Sequence, residues 1–156
     1  VLIVADVFDI KTRSKNMSRI RAKDTKPELI IRRLVHKRGF RYRIHRKDLP
    51  GKPDIVLPKH NLVIFVNGCF WHGHKCHLFH WPKSKSDFWE EKIRINIQRD
   101  LKNIKILRNM GWRVMIIWEC SIKGKYRQEI DLLTHRISSW IITNEEFCEF
   151  VGHDLS

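Results

Sequence analysis

Two thiols and three imidazoles fall between Asn67 and His77, at Cys69, His72, His74, Cys76 and His77, with the rings of Phe70 and Trp71 among them. Thiolate and imidazole are the donors that Zn²⁺ takes. Cys69-x4-His74-x-Cys76 offers three of them in eight residues, and Cys120, after a later apolar run, can add a fourth thiolate from a neighbouring strand. Three cysteines and one histidine form a closed tetrahedral set without a position for water, so a metal held there would organise the loop and not catalyse. The spacing differs from the usual finger pattern, and ordinary buried thiols beside a surface His74 account for the same residues. Cys148 stands apart and reads as a small apolar side chain.

A second set suits phosphodiester cleavage, which needs an attacking water, neutralisation of charge on phosphorus and a stabilised leaving oxygen. Mg²⁺ held by one or two carboxylates supplies these. Asp54, after the turn Leu49-Pro50-Gly51-Lys52-Pro53, is placed for that task, though an aspartate in such a turn also serves as a simple cap. His72 lies between two of the zinc candidates and suits a general base, since imidazole exchanges protons near neutral pH. Its alternative is a place in the zinc set instead of His74 or Cys120. Glu28 can reach a metal through water, while Thr25-x-x-Glu28 is also a capping box that explains it without chemistry. Phe70, Trp71 and Trp89 can stack on unpaired bases or wedge into a faulty base step; core packing is the competing account, above all for Trp89.

These residues sit in a strongly basic chain: 31 Lys and Arg against 17 Asp and Glu over 156 residues, a net charge of +14. Such an excess favours a polyanion, most often nucleic acid, through release of condensed counterions. The longest apolar run, Leu62 to Val66, is too short to span a bilayer. Val1 to Ala5 lacks the basic start of a signal peptide, so a cytoplasmic protein with reduced or metal-bound cysteines is expected, with no membrane partner.

The elements that must position these groups follow from apolar spacing. Residues 1–24 form a basic arm, extended or partly helical, and 25–156 a single domain. Thr25, Pro27 and Glu28 open a helix that buries Ile30, Ile31, Leu34 and Val35 and stops at Gly39. Phe40 to Ile44 alternates as a half-exposed strand, followed by strands from Asp54 to Leu57 and from Leu62 to Val66. A long helix capped within Ser84 to Asp87 runs to Met110, with Ile93, Ile97, Leu101, Ile104 and Leu107 as its core stripe. Trp112 to Trp118 is a further core strand, and a last helix carries Ile130, Leu133, Ile137 and Trp140. Trp112, Trp118 and Trp140 are assigned to the core. The order α-β-β-β-α-β-α implies an α/β domain, a mixed β-sheet flanked by helices.

Leu49-Pro50-Gly51-Lys52-Pro53-Asp54, Gly68-Cys69-Phe70-Trp71-His72, Phe88-Trp89-x-x-Lys92-Ile93, Gly111-Trp112-Arg113-Val114 and Trp118-Glu119-Cys120, with Thr12 to Met17 upstream, resemble the very-short-patch repair (Vsr) endonucleases. The resemblance implies a restriction-endonuclease-like fold and nicking of duplex DNA 5′ to the thymine of a T:G mismatch left by deaminated 5-methylcytosine. It implies that Asp54 and the main-chain carbonyl of Val66 hold Mg²⁺, that His72 and Glu28 are active-site residues, and that Cys69, His74, Cys76 and Cys120 hold Zn²⁺. Phe70, Trp71 and Trp89 correspond to the residues inserted beside the mismatch, and Asp6 to Asp24 to the arm that embraces DNA. Some members carry a second histidine where this chain has Asn67, an amide that can hydrogen-bond a phosphate or a water but cannot accept a proton. A monomer is expected, with a mismatch-repair mediator protein as a candidate partner. Two other readings compete: a restriction-like endonuclease on matched DNA, and a non-catalytic zinc-containing DNA-binding module. No motif is matched beyond about Lys125.

Overall fold

The computed structural model describes residues 24–153. The arm expected over residues 1–24 therefore lies outside the described residues, except for Asp24. The elements run α1 (Lys26–Lys37), β1 (Ile55–Leu57), β2 (Leu62–Asn67), α2 (Ser86–Asn109), β3 (Arg113–Trp118), α3 (Ile130–Ile141) and β4 (Phe147–Phe150). The strands form one mixed sheet in the order β1-β2-β3-β4. β1 is antiparallel to β2, whereas β2, β3 and β4 are mutually parallel, with Val66 opposite Ile117 and Asn67 opposite Trp118. Parallel neighbours need long crossovers, and α2 and α3 supply them.

Both sheet faces are covered, which is why β2 up to Val66 and β3 from Val114 are apolar without alternation. Ile31, Leu34 and Val35 of α1 and Leu133, Ile137 and Trp140 of α3 pack with Leu62, Ile64, Val66, Met115 and Ile117. On the other face Leu107 of α2 packs with Val56, Val63, Val114, Ile116 and Trp118. Burying a Leu or Ile side chain stabilises by about 1.5–3 kcal/mol, so these two layers hold the strand ends in fixed register.

Several expectations are corrected. Phe40 to Ile44 is not a strand: a single bridge joins Arg43 to Val56, and His45 then takes a left-handed backbone (φ +57°) that turns the chain away. A fourth strand, β4, occupies the C-terminal region instead, and Cys148 lies half-buried within it. The order is thus α-β-β-α-β-α-β. The α2 N-cap is Lys85, whose side chain makes no capping bond. Leu101, Ile130 and Ile30 are exposed and outside the core. Trp112 is half-buried, with the Arg46 guanidinium 5.8 Å from its ring centroid. No described helix is long and apolar enough to cross a membrane.

Candidate active site

The site gathers at the end of the sheet where β2 finishes and β1 begins. Asp54 extends the β1–β2 pairing by one residue, its N–H donating to the Ile64 carbonyl at 3.1 Å. Its Oδ2 accepts from the Val66 amide at 2.7 Å. The carboxyl is therefore held across the end of the antiparallel ladder and aimed along β2. Burial, together with the negative charge of Glu28, pushes the Asp54 pKa up to about 7 against the pull of the Val66 amide and Arg32. Among the described residues Arg32 is the one cation beside the two acids, and Asp54 stays raised despite it, so the remaining negative charge of the pair fits a divalent metal.

Glu28 is only 3% exposed. Thr25 caps α1 as expected, its Oγ1 accepting from the Glu28 amide at 3.4 Å. The reciprocal half of the capping box is altered, because Glu28 Oε2 accepts from the Asp24 amide at 2.8 Å. The same oxygen accepts from Arg32 at 3.2 Å, and Arg32 also pairs with Asp24 at 2.8 Å. Arg32 and Asp24 were not singled out in the sequence, yet they fix Glu28 beneath Asp54. Asn67 is buried at the end of β2.

Beyond Asn67 the chain turns tightly. The His72 and His74 amides donate to the Gly68 and Cys69 carbonyls at 3.2 and 2.9 Å. Gly73 has φ +67°, and a Cβ there would lie 2.5 Å from Ile97 Cδ1, so only glycine lets the loop press onto α2. The loop is also pinned by Asn96 Nδ2, which donates to the Trp71 carbonyl at 2.9 Å. His72 Nδ1 lies 2.5 Å from Asp100 Oδ2, and both side chains are about one quarter exposed. Asp100, like Asn96, went unnoticed in the sequence. Their signal is the face Ile93-Asn96-Ile97-Asp100 at helical spacing, which turns toward the loop while Leu101 points to solvent.

Cys69, His74, Cys76 and Cys120 converge, with one donor atom from each lying within 4.8 Å of the others. His72 is not among them. Cys120 is drawn down to about 5, first by a hydrogen bond from Cys69 and then by the Gly152 amide. Cys69 is pushed up by that same bond and by burial. The Leu78 and Gly152 amides point at Cys76 Sγ and Cys120 Sγ at 3.4 and 3.3 Å. The His74 ring stacks on Trp118, centroids 4.3 Å apart. Three thiols and an imidazole so arranged fit a Zn²⁺ ion.

Phe70, Trp71 and Trp89 form one half-exposed platform, with pairwise centroid separations of 5.3, 5.4 and 5.8 Å. Phe79 and Phe88 extend it, and Lys92 Nζ lies 5.9 Å from the Trp71 ring. Trp89 therefore belongs with the loop aromatics and not with the core.

The mixed sheet, the buried acids and a loop histidine paired with an α2 carboxylate suit phosphodiester cleavage, and comparisons with known proteins identify a DNA endonuclease. A family model described as DNA mismatch endonuclease Vsr matches residues 5–78. The chain is 44% identical over 138 residues to the DNA mismatch endonuclease Vsr of Escherichia coli (strain K12), covering 88% of each. It is 45% identical over 136 residues to the Type II nicking enzyme V.NmeAIP of Neisseria meningitidis, covering 86% of this chain and 97% of that protein. Among solved structures the catalytic domain of the homing endonuclease I-Bth0305I shares the fold, with a TM-score of 0.50 at 20% identity, covering 77% of this chain and all of that one. The chain belongs to the Vsr family of DNA mismatch endonucleases.

Proposed function

We propose that this endonuclease nicks one strand of duplex DNA 5′ to the mispaired thymine of a T:G mismatch, with Mg²⁺ at Asp54 and the Val66 carbonyl. The observation that carries the reading is the shared sheet end, where the chain runs from the Asp54–Val66 contact into the loop whose His72 pairs with Asp100 of α2. Bound there, Mg²⁺ supplies positive charge to the scissile phosphate and the leaving oxygen. Asp100 orients the His72 imidazole through Nδ1, leaving Nε2 to take the proton of the attacking water. Glu28, held by Arg32 and the Asp24 amide, adds negative charge beside Asp54 that would help hold a divalent metal there. Asn67 offers an amide to a phosphate oxygen or a water and takes no proton. The products are 5′-phosphate and 3′-hydroxyl ends.

In this reading Zn²⁺ on Cys69, His74, Cys76 and Cys120 keeps the loop folded. Phe70, Trp71 and Trp89 enter the stack beside the mismatch, where unpairing costs least. The arm over residues 1–24 follows the phosphate backbone, and the enzyme works as a monomer. The 44% identity to a mismatch endonuclease supports the T:G preference, and the Type II nicking enzyme among its relatives supports cleavage of one strand.

Incubation with Mg²⁺ and matched or T:G duplexes, for the parent, Asp54→Ala and His72→Ala proteins, tests it. Nicking of the T:G duplex by the parent alone is expected. Equal cutting of matched DNA would replace the mismatch reading with a restriction-like one.

A further inference from the structure

A second concavity lies at the opposite end of the sheet. Its volume is about 880 Å³, and it opens beside the edge strand β1, between the residues that follow α1 and the short turn Pro58–His60. Arg41, Arg43 and Lys59 line it with Phe40, Tyr42 and His60, and no carboxylate belongs to its wall. Arg46, Arg94 and Arg108 each pair with an acidic side chain. Arg41, Arg43 and Lys59 have no such partner among the described residues. The fold therefore concentrates unneutralised cations around a hollow walled by rings. Phe40 meets the His60 ring edge-on at 5.4 Å. Burial, then the charges of Lys59 and Arg113, holds the His60 imidazole below its usual range, which favours the neutral ring there.

A duplex is convex and suits a broad basic surface. A hollow of nucleotide size, with rings on its wall and cations at its rim, suits an unpaired strand, whose phosphates meet the cations while its bases lie against the rings. We propose that this cavity binds single-stranded DNA flanking the cut. The three residues of β1 lie between Asp54 and Pro58, so four chain steps separate them, about 13 Å at strand rise, which is the rise of about four base pairs. A strand released or frayed about four nucleotides from the scissile phosphate therefore reaches the hollow. The inference rests on the proposed position of cutting only for that distance; the binding itself does not.

The test uses the full chain and the triple variant Arg41→Gln/Arg43→Gln/Lys59→Gln, whose side chains are surface ones, with an unchanged melting profile as the check on folding. Fluorescence anisotropy in Mg²⁺-free buffer compares a labelled thymidine hexanucleotide, a short matched duplex and a poly-glutamate peptide. The variant should bind the hexanucleotide tenfold to a hundredfold more weakly, and the slope of log affinity against log salt should fall by about 2. Duplex affinity should change less than threefold. In the parent, the His60 imidazole followed by NMR should titrate at higher pH when the hexanucleotide is bound. Equal losses for hexanucleotide and duplex, an unmoved His60, or a preference for poly-glutamate would each overturn the inference. Cutting of a T:G duplex by the parent is measured separately, so a failure of the proposed activity is distinguishable from a failure of this site.

Discussion

Asp100 Oδ2 on α2 lies 2.5 Å from the Nδ1 of His72, linking the helix to a loop residue 28 positions earlier in the chain. The contact fixes the ring and leaves Nε2 as the free nitrogen. Asp100→Asn keeps the size of the side chain but loses the carboxylate that stabilises a protonated ring. Single-turnover nicking should fall about 10²-fold with unchanged DNA affinity, because positioned proton transfer contributes about 10²–10⁴ in rate. Equal loss of binding and cutting would show that Asp100 merely holds the loop.

Asp54 has a folded-state pKa raised to about 7, above the value of an unfolded carboxyl. Between about pH 4 and pH 7 the unfolded state therefore gives up this proton first, and metal-free stability falls as pH rises through that window. Each pH step of one across the window costs about 1.4 kcal/mol, so Asp54→Asn should remove this dependence and stabilise the metal-free protein at pH 8 by a few kcal/mol at most. Urea melts of both proteins at pH 5 and pH 8 measure it. Mg²⁺ should stabilise the parent and not the variant.

Cys76 is one of four donors whose atoms lie within 4.8 Å of one another. Cys76→Ser should lower zinc content by elemental analysis and lower the melting temperature, since structural zinc contributes on the order of 10 kcal/mol in the smallest domains and less where a core exists. His72→Ala should leave both zinc and melting unchanged while abolishing the nick. Loss of zinc from the His72 variant would place that ring in the metal set after all.

Trp71 shares its platform with Phe70 and Trp89 and is half-exposed. Trp71→Ala should cost about 1–3 kcal/mol of affinity for a T:G duplex, the range for one stacked base. Fluorescence titration on matched and mismatched duplexes measures the difference, and the loss should be confined to the mismatch.

Gly73→Ala should destabilise by about 1–3 kcal/mol, because the new methyl meets Ile93 and Ile97 and the backbone has φ +67°. A thermal melt with and without a chelator would show whether the strain acts on the loop alone.

What was legible in the sequence followed from local physics. The runs Leu62 to Val66 and Val114 to Trp118 are apolar at every position because both faces are covered, and the capping residues of α1 stand beside the first turn they satisfy. The zinc candidates were legible because three of four are close neighbours in the chain. Phe40 to Ile44 misled because one bridge, at Arg43, imposes the alternation of a strand without a partner to continue it. The stripe of α2 holds at Ile93, Ile97, Ile104 and Leu107 and fails at Leu101, because the inner face between them is polar and Asn96 and Asp100 serve the loop. Asp100 and the cavity beside Lys59 depend on contacts across the fold, which no spacing in the chain records, whereas the Glu28–Arg32 pair stands at ordinary helical spacing. β4 was hidden because its edge position leaves it half-exposed and short.

Cys120 follows His74 by 46 positions, and the amide pointing at its sulfur belongs to Gly152, 32 positions later still. The donor set therefore cannot close on a growing chain until β3 has emerged and paired with β2, and it gains its last amide only after β4 has followed. His72 sits inside the loop that this closure orders. The loop that carries His72 is thus tied to strands made well after it, and its final geometry depends on the whole sheet and not on the segment alone.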